Sequence, residues 1–117
     1  KVAKSLIVQS LEKFGLPVSR EKQVCTFSAG MIQRLHLAKA ELSEWSLGLY
    51  DEPLNALDKT GTELLMESLK KFRDMGRSVI ITSHYTDFIH SICNKIYRIE
   101  NNILTETDFK NNHSHLN

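Results

Sequence analysis

Between Lys1 and Phe14 the apolar residues Ala3, Leu6, Ile7, Leu11 and Phe14 recur at helical spacing, and Gly15, Leu16 and Pro17 break the pattern. One amphipathic helix is predicted there. A polar connector from Val18 to Cys25 leads to Thr26-Phe27-Ser28-Ala29-Gly30, after which Met31, Ile32, Leu35, Ala38 and Leu42 mark the face of a second helix. Ser28 is placed to cap it. Leu47-Gly48-Leu49-Tyr50 is a short apolar run halted by Asp51-Glu52-Pro53, the pattern of a buried parallel strand ended by proline. Asp58 stands where a third helix would begin, with Leu65, Leu69, Phe72 and Met75 on its apolar face and Gly76 closing it. Val79-Ile80-Ile81 is β-branched throughout, so Ser78 to Ser83 reads as a second buried strand, followed by His84 and a short helix through Phe88, Ile89 and Ile92. A last strand is expected from Lys95 to Ile99, with Asn101-Asn102 turning into Ile103-Leu104-Thr105 and a frayed polar tail from Lys110 to Asn117.

Strands alternating with helices imply an α/β architecture with a mostly parallel sheet, whose ligands gather at the carboxyl ends of the strands. Asp51, Glu52 and His84 each follow an apolar strand directly, and are therefore expected to share one site although 32 residues separate Glu52 from His84. No repeat or low-complexity linker interrupts the pattern.

The length of 117 residues fits one compact unit and leaves little for a second core. A formal net charge of +1 gives no electrostatic ground for nucleic-acid binding. No apolar run approaches the roughly 18 residues of a spanning helix, and charges interrupt the opening segment too often for a signal peptide. Cys25 and Cys93 lack metal-site or disulfide-framework spacing, which points to a reducing compartment. A first residue of Lys rather than Met raises the expectation of a fragment or processed chain.

The acid pair at a strand end suits hydrated Mg²⁺ and an oriented water, because alternation sends neighbouring side chains in different directions. Alone, the pair more often describes a solvated loop. In order and spacing, however, FSAGMIQRLHLAKA, LGLYDEPLNALD and VIITSH resemble the signature motif, the Walker B motif with its D-loop, and the H-loop of ATP-binding-cassette (ABC) ATPases. The match runs from Thr26 to His84.

The resemblance implies a partial P-loop NTPase fold of ABC type and a role for each matching residue. Ser28, Ala29, Gly30 and Met31 stand where the family has Ser-Gly-Gly-Gln. Such a helix start offers N–H groups and a hydroxyl to the γ-phosphate of ATP held by an opposite subunit. Ala29 and Met31 depart from the pattern, which puts the strength of that coupling in question. Asp51 would serve Mg²⁺ through water, and Glu52 would act as general base. Asp58 closes the D-loop, which communicates across the dimer, and His84 matches the switch histidine at the γ-phosphate. As isolated residues Ser28 and Asp58 are equally plain helix caps, and His84 an incidental surface histidine.

Other features invite less. His113 and His115 form a weak chelate pattern better read as tail, and His36 and His90 read as helix-surface residues. Trp45, Tyr50 and Tyr85 read as core or interface anchors rather than as an adenine stack. None of the five glycines opens GxxxxGK[ST], so the Walker A strand and loop are absent from the sequence. The resemblance therefore implies a C-terminal part of one ABC ATPase domain: residues 1–45 as helical subdomain and signature helix, 46–109 as the Walker B to H-loop core, and 110–117 as tail. About 80 to 100 further N-terminal residues would complete such a unit. In the family sheet the missing strand lies between the one before His84 and the one at Lys95 to Ile99, which would leave Val79 to Ile81 an exposed apolar edge.

The implied activity is ATP hydrolysis at a head-to-tail dimer interface, driving a membrane transporter from its cytoplasmic side. ATP and Mg²⁺ are the cofactors, and a second ABC ATPase domain and a transmembrane subunit the partners, with no nucleic acid. The chain alone would be inactive for want of Walker A. Ser28-Ala29-Gly30 and the Met31 to Leu35 run look like exporter-type bacterial cassettes, including the haem-exporter ATPase. The rival readings are a non-transport ABC ATPase of translation or DNA repair, and a non-catalytic module lending its signature motif to a partner's ATP site.

Overall fold

In the computed structural model, residues 2–18 and 23–107 are described. The tail expected from Lys110, with His113 and His115, lies outside the described residues. The chain divides into two compact units, Lys1–Ser83 and His84–Asn117.

The first unit holds α1 (Lys4–Lys13), a 3₁₀ turn (Val24–Thr26), α2 (Ala29–Leu42), β1 (Leu47–Asp51), α3 (Lys59–Asp74) and β2 (Ser78–Thr82). Its core forms where α2 packs between α1 and α3, around Phe14, Leu37, Leu65 and Phe72. Each fully buried side chain of this size contributes about 1.5–3 kcal/mol through the apolar surface it removes from water. At the end of α1 the Leu16 N–H donates to the Leu11 carbonyl (2.9 Å), which folds Leu16 back into this core.

Asp58 caps α3 as expected, its Oδ1 accepting from the Gly61 N–H at 2.7 Å. The helix ends where Gly76 takes a φ of +78°, a conformation glycine adopts without a Cβ penalty. The Arg77 N–H then reaches the Phe72 carbonyl (3.0 Å). Met75, expected on the buried face, is exposed because it is the C-cap of α3, where the chain already leaves the helical path.

Two polar clusters brace the three helices. The Glu41 carboxylate, 6% exposed, accepts from Lys13 Nζ of α1 (2.9 Å), from Lys71 Nζ (3.2 Å) and from the Ser68 hydroxyl of α3 (3.1 Å). Burial pushes this carboxyl up, but hydrogen bonds and charge from Lys13 and Lys71 outweigh it and hold it below the ordinary 4.5. Beyond α2, the Arg77 guanidinium donates to the Ala40 and Ser43 carbonyls (3.2 and 3.0 Å) and lies 4.5 Å from the Trp45 ring centre. Trp45 donates to the Ala40 carbonyl (2.9 Å) and packs edge-on against Phe72, the core anchor expected of it.

β1 and β2 pair in parallel, Leu47 opposite Ser78 through Asp51 opposite Thr82. The strands were expected to be buried, and the structure corrects this. Gly48, Tyr50, Val79 and Ile81 are half-buried on the face beside Trp45 and α3. On the other face Leu47, Leu49 and Ile80 are 54%, 73% and 58% exposed. A parallel sheet is buried when helices cover both sides, and within the first unit only one side is covered.

The second unit holds α4 (Thr86–Ile92), β3 (Ile96–Glu100) and β4 (Ile103–Thr107), with Phe88 buried. β3 and β4 form an antiparallel hairpin. Asn101 and Asn102 both take positive φ (49° and 62°), the requirement of a two-residue turn whose twist matches the strands. No helix among the described residues is long and apolar enough to cross a membrane.

Candidate functional site

β1 delivers Asp51 to the carboxyl end of the parallel pair, on the open face of the sheet. Its neighbour across the register is Thr82, whose hydroxyl donates to Asp51 Oδ1. Glu52, the next residue, has a φ of +47°, a left-handed conformation that costs a non-glycine residue on the order of 1–3 kcal/mol. Its N–H offsets that cost by donating to both the Thr82 carbonyl (3.0 Å) and the Thr82 hydroxyl oxygen (3.1 Å). The reversal ends the strand at Asp51.

The chain then folds tightly. The Asn55 N–H returns to the Glu52 carbonyl (3.2 Å) and the Leu57 N–H to the Leu54 carbonyl (3.1 Å), before Asp58 starts α3. These turns carry Ala56 onto the start of α2. A Cβ added to Gly30 would lie 2.7 Å from the Ala56 carbonyl oxygen, so the close approach needs glycine there. Ser28 caps α2, its Oγ accepting from the Met31 N–H (3.2 Å), while its carbonyl accepts from the Ile32 N–H (3.0 Å). Ser28 and Ala29 are exposed at this helix start, and Gly30 and Met31 are half-buried.

Of the expected site residues of the first unit, Ala29 and Asp51 line one cleft, whereas Ser28, Gly30, Met31, Glu52 and Asp58 are not among its lining residues. An open cleft of about 760 Å³ is lined by Ala29, His36, Asp51, Pro53, Ala56 and Leu57, among others. His84, exposed, opens the second unit. Thr82 was not singled out by sequence reasoning. Its signal was available only as a hydroxyl residue at the end of an apolar strand, and its value depends on the register that sets it opposite Asp51.

The donor set fits one kind of metal. Among the described residues no group of three or more His, Cys, Asp or Glu is placed to hold an ion by itself. A lone exposed aspartate fits Mg²⁺ that arrives with phosphate oxygens and its own waters, since that ion commonly takes only one or two protein carboxylates. The start of α2 is exposed at Ser28 and Ala29, with the Met31 N–H taken by the Ser28 hydroxyl, and a helix start of this kind suits an anionic phosphate.

No protein-family model matches the chain. The ABC transporter ATP-binding protein YybJ of Bacillus subtilis (strain 168), itself uncharacterized, is 37% identical over 87 residues, which cover 74% of this chain and 40% of YybJ. Among solved structures, an ABC transporter described as of metal-chelate type, in an inward-facing conformation, superposes with a TM-score of 0.70 at 23% identity. That match covers 95% of this chain and 46% of the solved one. An ATP-binding cassette of an ABC transporter in its ADP conformation superposes with a TM-score of 0.58 at 14% identity, over 83% of this chain and 39% of that one. The chain therefore has the fold of part of an ABC-type P-loop NTPase domain, and its relatives are ABC transporter ATP-binding proteins. It spans less than half the length of the proteins it matches.

Proposed function

We propose that this chain is the C-terminal part of the ATPase domain of an ABC transporter, working at a head-to-tail interface between two such domains. The observation that carries the reading is the placement of Ser28 at the start of α2, Asp51 at the carboxyl end of β1 and Asp58 at the start of α3, in a chain with the fold of part of an ABC domain. Relatives in which this segment occurs within a longer ATP-binding protein support it.

In this reading Ser28 and Gly30 present the start of α2 to the γ-phosphate of ATP cradled by the partner domain, with Ala29 and Met31 at the same edge. The phosphate-binding loop itself is absent from these 117 residues, so ATP held by this domain would require a segment beyond them. Asp51 orients the waters of a nucleotide-borne Mg²⁺, which when bound would neutralise phosphate charge. Glu52 accepts the proton of the attacking water. His84 holds that water and the γ-phosphate in register, and Asp58 anchors the loop that senses the partner. The domain would act peripherally on the cytoplasmic side of a membrane, against a transmembrane transporter subunit. The Ser28-Ala29-Gly30 core keeps the exporter-type reading, the haem-exporter ATPase included, as its subfamily.

Glu52→Gln in a complete domain containing this segment tests the assignment. Loss of hydrolysis by about 100-fold or more, with Mg-ATP binding retained in calorimetry, is expected for removal of a general base. Unchanged turnover would sink it. The 117-residue chain by itself should not bind Mg-ATP, and tight binding would mean that its nucleotide site is built on another plan.

A further inference from the structure

The carboxyl end of β2 carries a side chain to which the proposed mechanism gives no task. Thr82 lies opposite Asp51 in the parallel register and makes three contacts with the acid pair. Its hydroxyl donates to Asp51 Oδ1. The same oxygen accepts the Glu52 N–H at 3.1 Å, and its backbone carbonyl accepts that N–H at 3.0 Å. A hydroxyl has one proton to give and two lone pairs to receive, so Thr82 can serve both residues at once only with its proton committed to the aspartate. That arrangement fixes the Asp51 rotamer and holds Glu52 at its φ of +47°. A sheet-end residue serving the strand alone would need only its backbone.

We infer that Thr82 is a positioning residue for the Asp51-Glu52 pair, setting the Asp51 carboxylate for a hydrated divalent cation and the Glu52 backbone for its reversal. The inference rests on the carboxylate roles proposed above. It extends them to the strand that precedes His84, so that one hydroxyl ties the metal-facing acid to the water-facing one. Partners of this kind, one shell out from a cation, typically change metal affinity or activity by about 10- to 100-fold when removed.

Two substitutions separate positioning from support. Thr82→Val replaces the hydroxyl by a methyl of similar size, and Thr82→Ser restores it. In the chain itself, amide hydrogen exchange followed by NMR should speed up several-fold at Glu52 in the valine variant, with Tyr50 and Ile81 unaffected, and return to the original rate with serine. In a complete domain, Thr82→Val should raise the Mg²⁺ concentration for half-maximal ATP hydrolysis by about 10-fold and lower kcat, again with rescue by serine. Unaltered Glu52 exchange and Mg²⁺ requirement in the valine variant would overturn the inference. So would a loss of activity that tracks a loss of stability and is not rescued by serine. The Glu52→Gln experiment fails or succeeds separately: if it leaves hydrolysis intact, the carboxylate roles fall, whereas Glu52 amide exchange still reports whether Thr82 holds the turn.

Discussion

Replacing Glu41 by glutamine keeps the shape of the side chain and removes the negative charge that joins α1, α2 and α3. The carboxylate receives Lys13 at 2.9 and 3.1 Å, Lys71 at 3.2 Å and the Ser68 hydroxyl at 3.1 Å, while being 6% exposed. An amide presents one acceptor oxygen in place of two and no charge, so both lysines lose an ionic partner and at least one of the three lysine hydrogen bonds is lost. A charge-assisted hydrogen bond contributes about 1.5–3 kcal/mol when shielded. Lys13 and Lys71 are 34% and 49% exposed, however, and water recovers part of each loss. The expected destabilisation is about 1–2 kcal/mol at neutral pH. Its pH dependence is the sharper signature. The folded carboxyl titrates below the ordinary 4.5, so its contribution is fully present above about that pH and fades as pH falls through the folded value. Urea denaturation of both chains at pH 7 and near pH 3.5 should therefore show a gap that narrows on acidification. Equal stability at pH 7, or a gap that widens in acid, would refute the reasoning.

Two further outcomes follow from close packing. Gly30→Ala should lower stability by about 1–3 kcal/mol in thermal unfolding, because the new methyl meets the Ala56 carbonyl oxygen at 2.7 Å. Helix propensity alone predicts a gain of up to about 1 kcal/mol, so a more stable variant would contradict the contact. Burial raises the Cys93 thiol above its ordinary value, whereas Cys25 is exposed. Iodoacetamide at pH 8 should therefore modify Cys25 first, and faster labelling of Cys93 in peptide mapping would contradict this burial.

The secondary structure was written largely in local terms. Helical spacing located α1, α2 and α3, the capping residues Ser28 and Asp58 marked two helix starts, and the Asn101-Asn102 pair marked the hairpin turn, because each depends on neighbours within a few residues. Asp51 and Glu52 were legible for the same reason, as acids directly after an apolar strand. Contacts between distant segments were not. Leu47, Leu49 and Ile80 have the composition of a buried strand, and their exposure depends on which helices cover each face of the sheet. Glu41 looks like any helix glutamate until α1 and α3 bring Lys13 and Lys71 to it across 28 and 30 residues. Thr82 becomes a partner of the acid pair only through the parallel register, and Gly30 becomes irreplaceable only because the loop before α3 folds back onto α2. Sequence alone determined which residues have the chemistry. Tertiary packing decided which of them touch, because register and helix docking follow from the summed burial of whole faces, which no single stretch of chain contains.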